Sequence, residues 1–417
     1  MTRLLRDTLE EWADEARVPH DLADRALGVR RPARAPRGRV RPWTLVAGAV
    51  ALAAGVTVAL VVPGAGVDER AATVRPATGL TLPERPSPAP TDIRTYTEGR
   101  PPRTLIAAGN VAVSAYWTTT TEKLSEKLER HRRTWWLYDP RNDGYEKTDW
   151  AWVDVAPGLR TAAAIQGDLL GRQIVILDMA TREVRSVIGL DHDAGSVAWS
   201  PDGAKLLVTT YSGYPDEQPP MKNNMITYDR NTKIGTRTGY YVIDVTKGEK
   251  QYHEFPAMTS PPAQGSTEPG NGNHRQDLGW SVDGSLIWAP TDTMPDRLFY
   301  TLDGKRHDPP ADRYIPYTGR TALSPNGKLV IGPRQSGMPT EITDAQSGSV
   351  AGRQRVLQLL AWADDDNVIA LGCARECDDE FDNGLVLVSV DGSRTTQLAA
   401  TGKNEGEGSW DWVLTPR

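Results

Sequence analysis

The chain has 417 residues, enough for two or three average domains or for one large repeat fold with appendages. Thirteen tryptophans against three phenylalanines, with 38 glycines and 31 prolines, favour many short strands and turns over a helical core. The net charge of -6 hides an asymmetry, because residues 1–42 carry ten arginines against seven acidic residues. The bulk beyond them is acidic, which excludes nucleic-acid binding, since that needs a basic surface.

Residues 1–42 form an arginine-rich head. Leu4, Leu5, Leu9, Trp12 and Ala16 fall on one helical face, and Asp21, after Pro19, is placed to cap a second short helix carrying Leu22, Ala26 and Leu27. Two such stripes bury little by themselves. Residues 1–28 read either as a docking site for a cytoplasmic protein partner or as an amphipathic helix that rests on the inner leaflet or self-associates. The next segment, WTLVAGAVALAAGVTVALVV from Trp43 to Val62, holds no charged residue over the length needed to span about 30 Å of hydrocarbon as a helix. Arg30, Arg31, Arg34, Arg37, Arg39 and Arg41 precede it, so the positive-inside bias keeps the N-terminus in the cytoplasm and the C-terminal bulk outside. A cleaved signal or a buried core helix would be the other readings. The forty-two residues before it are too many for a signal n-region, and a core helix seldom lacks a polar face. Residues 63–102, which include PATGLTLPERPSPAP, lack apolar periodicity and are expected to be an extracytoplasmic stalk.

From 103 to 417 one pattern recurs: an apolar strand, a polar turn with Pro, Asp or Gly, and a second apolar strand. It appears as VAWSPDGAKLLVTT from Val197, LGWSVDGSLIWAP from Leu278, TALSPNGKLVIGP from Thr321 and LAWADDDNVIALG from Leu360, with a weaker copy, VDVAPGLRTAAAI, from Val153. In Ser200-Pro201-Asp202-Gly203, proline presets the second turn position and glycine accepts the left-handed conformation at the fourth, which makes a tight hairpin. Each copy is followed by a second strand pair, such as 239–255 or 384–399, and four strands per repeat define a propeller blade. The C-terminal WVLTP (412–416) aligns with VAWSP (197–201) as a first strand whose partners are missing. IAAGNVAVSAYWTT (106–119) and TWWLYDPRNDGYEKT (134–148) supply those partners from the other end of the domain. The expected fold is mainly β: a six-bladed β-propeller closed by pairing of its N- and C-terminal strands, preceded by short cytoplasmic helices and one transmembrane helix. Closure removes an edge open to aggregation.

Through the WSPDG, WSVDG and LSPNG turns, residues 104–417 resemble the TolB-like and WD-repeat-like propellers of bacterial envelope proteins, TolB-like more closely. The head resembles those of actinobacterial single-pass proteins, some linked to sigma-factor regulation, without the paired cysteines of the zinc-type anti-sigma motif. The arginine, alanine, glycine and proline richness agrees with such a source. These resemblances imply a fold and an envelope location and say little about activity.

Long insertions at 118–133, 211–238, 257–276 and 373–383 are expected on one propeller face, joining second to third strands or blade to blade, and long loops on a rigid scaffold are where binding concentrates. The candidate ligand face carries Tyr211, Tyr214, Tyr228, His274, Asp378, Asp379, Glu380 and Asp382. The alternative is that these loops are solvated excursions without a ligand, which 257–276 fits best. Cys373 and Cys377 share one loop and are expected to form a disulfide outside the membrane. The acidic run beside them lacks calcium-loop spacing, so no metal or other cofactor is expected. The six histidines make no i,i+4 pair, no G-x-S-x-G elbow occurs, and DHD at 191–193 reads as a polar turn between blades. The expectation is a non-catalytic binding module, sensor or envelope scaffold, engaging a peptide, glycan or protein. The alternative is a hydrolase with acidic residues from several blades converging on the central channel.

Overall fold

The computed structural model describes residues 90–220, 236–255, 275–290, 297–310, 323–332, 340–375, 382–401 and 410–417. The chain divides into two units, Met1–Asp68 and Glu69–Arg417, and the first lies wholly outside the described residues. So do the expected head and the Trp43–Val62 span; among the described residues no helix is long and apolar enough to cross a membrane. What is described is all strand and turn.

The strands run β1 (Ile93–Arg94), β2 (Ala107–Ala108), β3 (Val111–Ser125), β4 (Leu128–Asp139), β5 (Gly144–Lys147), β6 (Trp150–Val155), β7 (Thr161–Gln166), β8 (Gly171–Asp178) and β9 (Val184–Trp199). Next come β10 (Lys205–Tyr211), β11 (Glu217–Gln218), β12 (Arg237–Asp244), β13 (Glu249–Glu254), β14 (Gly279–Trp280), β15 (Leu286–Pro290), β16 (Arg297–Thr301) and β17 (Arg306–His307). The last are β18 (Leu329–Gly332), β19 (Glu341–Asp344), β20 (Val350–Arg353), β21 (Gln358–Trp362), β22 (Asn367–Gly372), β23 (Gly384–Ser389), β24 (Thr395–Gln397) and β25 (Asp411–Pro416).

They assemble into successive antiparallel meanders. β6 to β9 form one, and β9 continues into a second with β10, β12 and β13. β14–β17 and β21–β24 are four-stranded, and β18–β20 gain a fourth element through the Leu323–Val330 bridge. The C-terminal β25 pairs with β3 from Asp411–Trp117 to Pro416–Val111, ahead of β4 and β5. The hairpin turns follow the sequence logic. Gly203, Gly284 and Gly327 take φ of 72°, 70° and 72°. In each turn the serine hydroxyl at the first position donates to the Asp or Asn two residues on and accepts the strand-opening N–H: Lys205 N–H to Ser200, Leu286 N–H to Ser281, Leu329 N–H to Ser324.

Neighbouring sheets share their cores. Trp135 and Leu137 pack with Val153, Val155 and Leu177. Leu207 and Tyr240 pack with Ile287 and Tyr300, and Ile331 and Ile342 pack with Trp362 and Val368. Leu360, Ile369 and Leu385 close on Val111, Tyr116 and Leu414, bringing the last meander against the first.

Three expectations need correction. Residues 118–133 are no loop but the outer half of a continuous β3–β4 hairpin, paired out to Ser125–Leu128. The threonine run 118–121 favours strand, and Arg132 bonds Glu122 across it while β11 adds the Glu217–Arg130 pair. Residues 191–193 lie within β9 rather than in a turn. There Asp191 pairs Lys250 at 3.0 Å, Asp193 pairs Arg172 at 2.7 Å, and the His192 ring stacks on Tyr252 at 3.7 Å. Finally, residues 92–96 of the expected stalk belong to the strand domain. β1 pairs β2, Asp92 accepts from Arg417 at 2.8 Å, and Tyr96 bridges Ala399.

Candidate functional site

The most distinctive concavity is lined by tryptophans. Trp152 on β6, Trp199 on β9, Trp280 on β14 and Trp412 on β25 each come from the first strand of a meander, and Trp117, Trp135 and Trp288 join them around about 210 Å³. The same rings also pack into the cores between sheets: Trp135 with Val153, Trp199 with Leu206, and Trp280 against the cluster of Ile287. Indole N–H groups stitch neighbouring first strands: Trp152 Nε1 donates to the Val197 carbonyl at 3.0 Å and Trp280 Nε1 to the Ala198 carbonyl at 3.1 Å. Trp135 Nε1 and Trp288 Nε1 donate to the Ala151 and Trp280 carbonyls. The buried Nε1 atoms of Trp199 and Trp412 have no partner among the described residues. The carboxylate in the lining, Asp154, accepts the Trp199 backbone N–H at 2.6 Å.

A charged cluster lies against the same rings. The Arg275 guanidinium sits 4.3 Å over Trp152, and Arg133 lies 4.8 Å over Trp152 and 5.1 Å over Trp117. Arg275 donates to Asp216 at 2.9 Å, to Asp277 at 2.9 Å and through both terminal nitrogens to the Gly195 carbonyl at 3.0 Å. Arg133 reaches Asp216 at 3.3 Å. Burial pulls the Arg275 pKa down, but the Asp277 and Asp216 charges outweigh it and hold the group above its ordinary value. Arg133 goes the other way, lowered by burial and then by Arg275. The cluster is thus an internally compensated clamp, and its cations are engaged.

The sequence-predicted ligand residues are placed differently. Tyr211 is 2% exposed, its hydroxyl donating to Asp277 at 2.8 Å and accepting from Gln276 N–H; burial and then Asp277 push its pKa well up. Tyr214 is buried beneath Arg130, 4.3 Å from its ring. Both support the clamp and the β3–β4 hairpin instead of presenting a face. Asp382 lines a separate hollow of about 420 Å³ with Thr97, Cys373 and Arg375. Cys373 is disulfide-bonded, with its Sγ 2.9 Å from the Asp382 carbonyl oxygen. Tyr228, His274, Cys377, Asp378, Asp379 and Glu380 lie outside the described residues. Among the described residues no cluster of His, Cys, Asp and Glu is arranged to hold a metal. The tryptophan cavity escaped the sequence reading, although tryptophans on several first strands were its visible signal.

No protein-family model matches the chain, and no curated protein matches it. Among solved structures it is similar to an acylaminoacyl peptidase from Pyrococcus horikoshii, at 15% identity and TM-score 0.37 over 74% of this chain. The match spans 46% of that protein's length. It is also similar to TolB from Acinetobacter baumannii, at 12% identity and TM-score 0.34 over 73% of this chain and 67% of that one. A third is the β-propeller domain of the Trilobed protease from Pyrococcus furiosus, at 13% identity and TM-score 0.36 over 72% of this chain and 86% of that one.

Proposed function

We propose that this protein is a membrane-anchored extracytoplasmic binding module: a six-bladed β-propeller carried outside the cell membrane by the Trp43–Val62 helix, with the head of residues 1–42 in the cytoplasm. The observation that carries the binding role is the cavity where tryptophans from four first strands converge. The propeller reading is supported by the cores that most successive meanders share and by the β25–β3 pairing that joins the C-terminal strand to the first sheet. The only other cysteine, Cys377, completes the bridge to Cys373 and pins the 373–383 loop. The head docks a cytoplasmic protein, so the molecule reports on, or scaffolds, the envelope.

A hydrolase would use Asp154, the cavity's carboxylate, one oxygen of which accepts the Trp199 N–H. The test is in-cell crosslinking of the full-length chain and of a version lacking residues 1–42. Capture of the same envelope component by both forms is expected. Capture of cytoplasmic components alone, or an envelope-hydrolysing activity abolished by Asp154→Asn, would overturn the reading.

A further inference from the structure

We propose that the outer half of β3 pairs with its own copy in a second molecule, giving a two-fold dimer centred on Thr121. This goes beyond the binding-module reading and does not rest on it. β3 carries β25 on one edge from Val111 to Trp117 and β4 on the other from Ala115 to Ser125. Past Trp117 the β25 edge continues through residues 118–125 with no strand against it among the described residues. Residues 119–125 are exposed, and the run holds neither proline nor glycine. Its pairing with β4 is regular as far as Lys123. Such a row of unpaired backbone N–H and C=O groups is a template for another strand. The arm is also held in place before any partner arrives. Arg132 donates to Asp168 at 3.0 Å, Arg130 pairs with Glu217 and lies over Tyr214, and β11 pairs outside β4. Association therefore costs little in ordering.

Register and charge select a second copy as the occupant. Antiparallel strands related by a two-fold axis keep their faces aligned, so one residue faces itself and its neighbours pair symmetrically about it. Centring on Glu122 or Lys123 sets like charges directly opposite, which destabilises the pair. Centring on Thr120 or nearer to Trp117 drives the body of the second strand into the place opposite Trp117 that Asp411 holds. Centring beyond Lys123 leaves only the hairpin tip. Thr121 remains. It faces itself, Thr120 faces Glu122 and Thr119 faces Lys123, and only Ser125, the last residue of the strand, comes up to the place opposite Trp117. No like charges are opposed in this register, and threonine suits a paired strand. Glu122 and Lys123 keep their own partners, Arg132 and Glu126. A foreign strand chosen by charge would need an edge of one sign, and this edge carries one acid and one base. The contact, residues 119–123 of each copy, falls below the roughly 1,000 Å² of a stable interface, so the dimer is weak and concentration-dependent.

The test uses the full chain in detergent, with sedimentation velocity across a concentration series and with single cysteines as reporters. Cys373 is already bridged, so an added thiol reports alone. Mild oxidation should link Thr121→Cys to its own copy and leave Thr120→Cys largely unlinked. Residues directly opposite have Cβ atoms about 4.5–5.5 Å apart and diagonal ones about 7–8 Å, whereas a disulfide takes about 3.5–4.5 Å. A mixture of Thr120→Cys and Glu122→Cys should link where neither does alone. Thr121→Lys and Thr121→Glu should each weaken dimerisation at least about fivefold, because each sets like charges face to face. An equimolar mixture of the two should restore it, and that recovery guards against a folding defect in either variant. Linking of Thr120→Cys as readily as Thr121→Cys, dimerisation indifferent to Thr121→Lys, or a chain monomeric throughout the series would overturn the proposal. So would crosslinking in cells from a photoreactive residue at position 121 to another envelope protein alone, which would assign the edge to a foreign strand.

Discussion

Replacing Arg275 by methionine should cost the strand domain about 3 kcal/mol, and the clamp shows why. Arg275 and Asp216 expose only 11% and 8% of their side chains. Removal of one member of a buried ion pair leaves an uncompensated charge and costs about 3–5 kcal/mol. The low end applies because Asp216 keeps Arg133 at 3.3 Å and Asp277 is 23% exposed, so water relieves part of the loss. The Gly195 carbonyl loses two donors as well. A loss of about 3 kcal/mol is more than a hundredfold in the folding equilibrium. Urea unfolding of the full chain in detergent, followed by tryptophan emission, measures it. Trp152, stacked under the guanidinium, reports the local change. Arg275→Lys should recover little, because an ammonium cannot reach two carboxylates and a carbonyl in one plane. The decisive comparison repeats Arg275→Met in a background carrying Asp216→Asn and Asp277→Asn, where the cost should fall below about 1 kcal/mol. A loss of similar size in both backgrounds would mean that packing over Trp152, not charge compensation, is what Arg275 supplies.

Three further outcomes follow from the structure. Gly109→Ala should destabilise by at least about 1–2 kcal/mol, since a Cβ there would lie 2.1 Å from the Ala363 carbonyl oxygen and φ is 54°; a thermal melt unchanged from wild type would contradict the turn geometry. Asp391 is held down to about 2 by the Ser389 hydroxyl and then the Ser393 N–H, and Asp303 to about 2 by Lys305 and then Thr301. With folded values below the unfolded 3.8, these carboxylates stabilise the fold above that pH and the contribution drains away as pH falls towards 2, so Asp391→Asn should flatten the melting temperature's acid limb within that window. His253 is lowered by burial from 6.5, its Nε2 buried without a partner and its ring stacked on Tyr240. Its neutral form is favoured by folding, so stability should begin to fall as pH drops below about 6.5, and His253→Phe should remove that step.

The repeat was legible in the sequence because each turn carries its own chemistry. A hydroxyl at the first position, Asp or Asn at the third and Gly at the fourth together satisfy the turn's N–H groups, and the same residues do this at 200–203, 281–284 and 324–327. The strand supplied by the C-terminus was legible for the same reason, since Leu414 and Thr415 occupy the places of Trp199 and Ser200. What escaped was anything that depends on two distant segments meeting. The threonine-rich 118–133 arm is a hairpin that 217–218 extends by pairing beside it, and residues 92–96 are held by β2, by Ala399 and by Arg417, all distant in the chain. Tyr211 and Tyr214 illustrate the general difficulty. Tyrosines in a long polar insertion suggest a binding surface, but 2% exposure and an Asp277 partner make Tyr211 a support for the arginine clamp. The residues left facing the open space are tryptophans, which the repeat pattern had already spent as strand-formers. A tryptophan at the start of a meander satisfies the strand's need for bulk as well as a ligand's need for a flat face, and spacing alone does not separate the two roles.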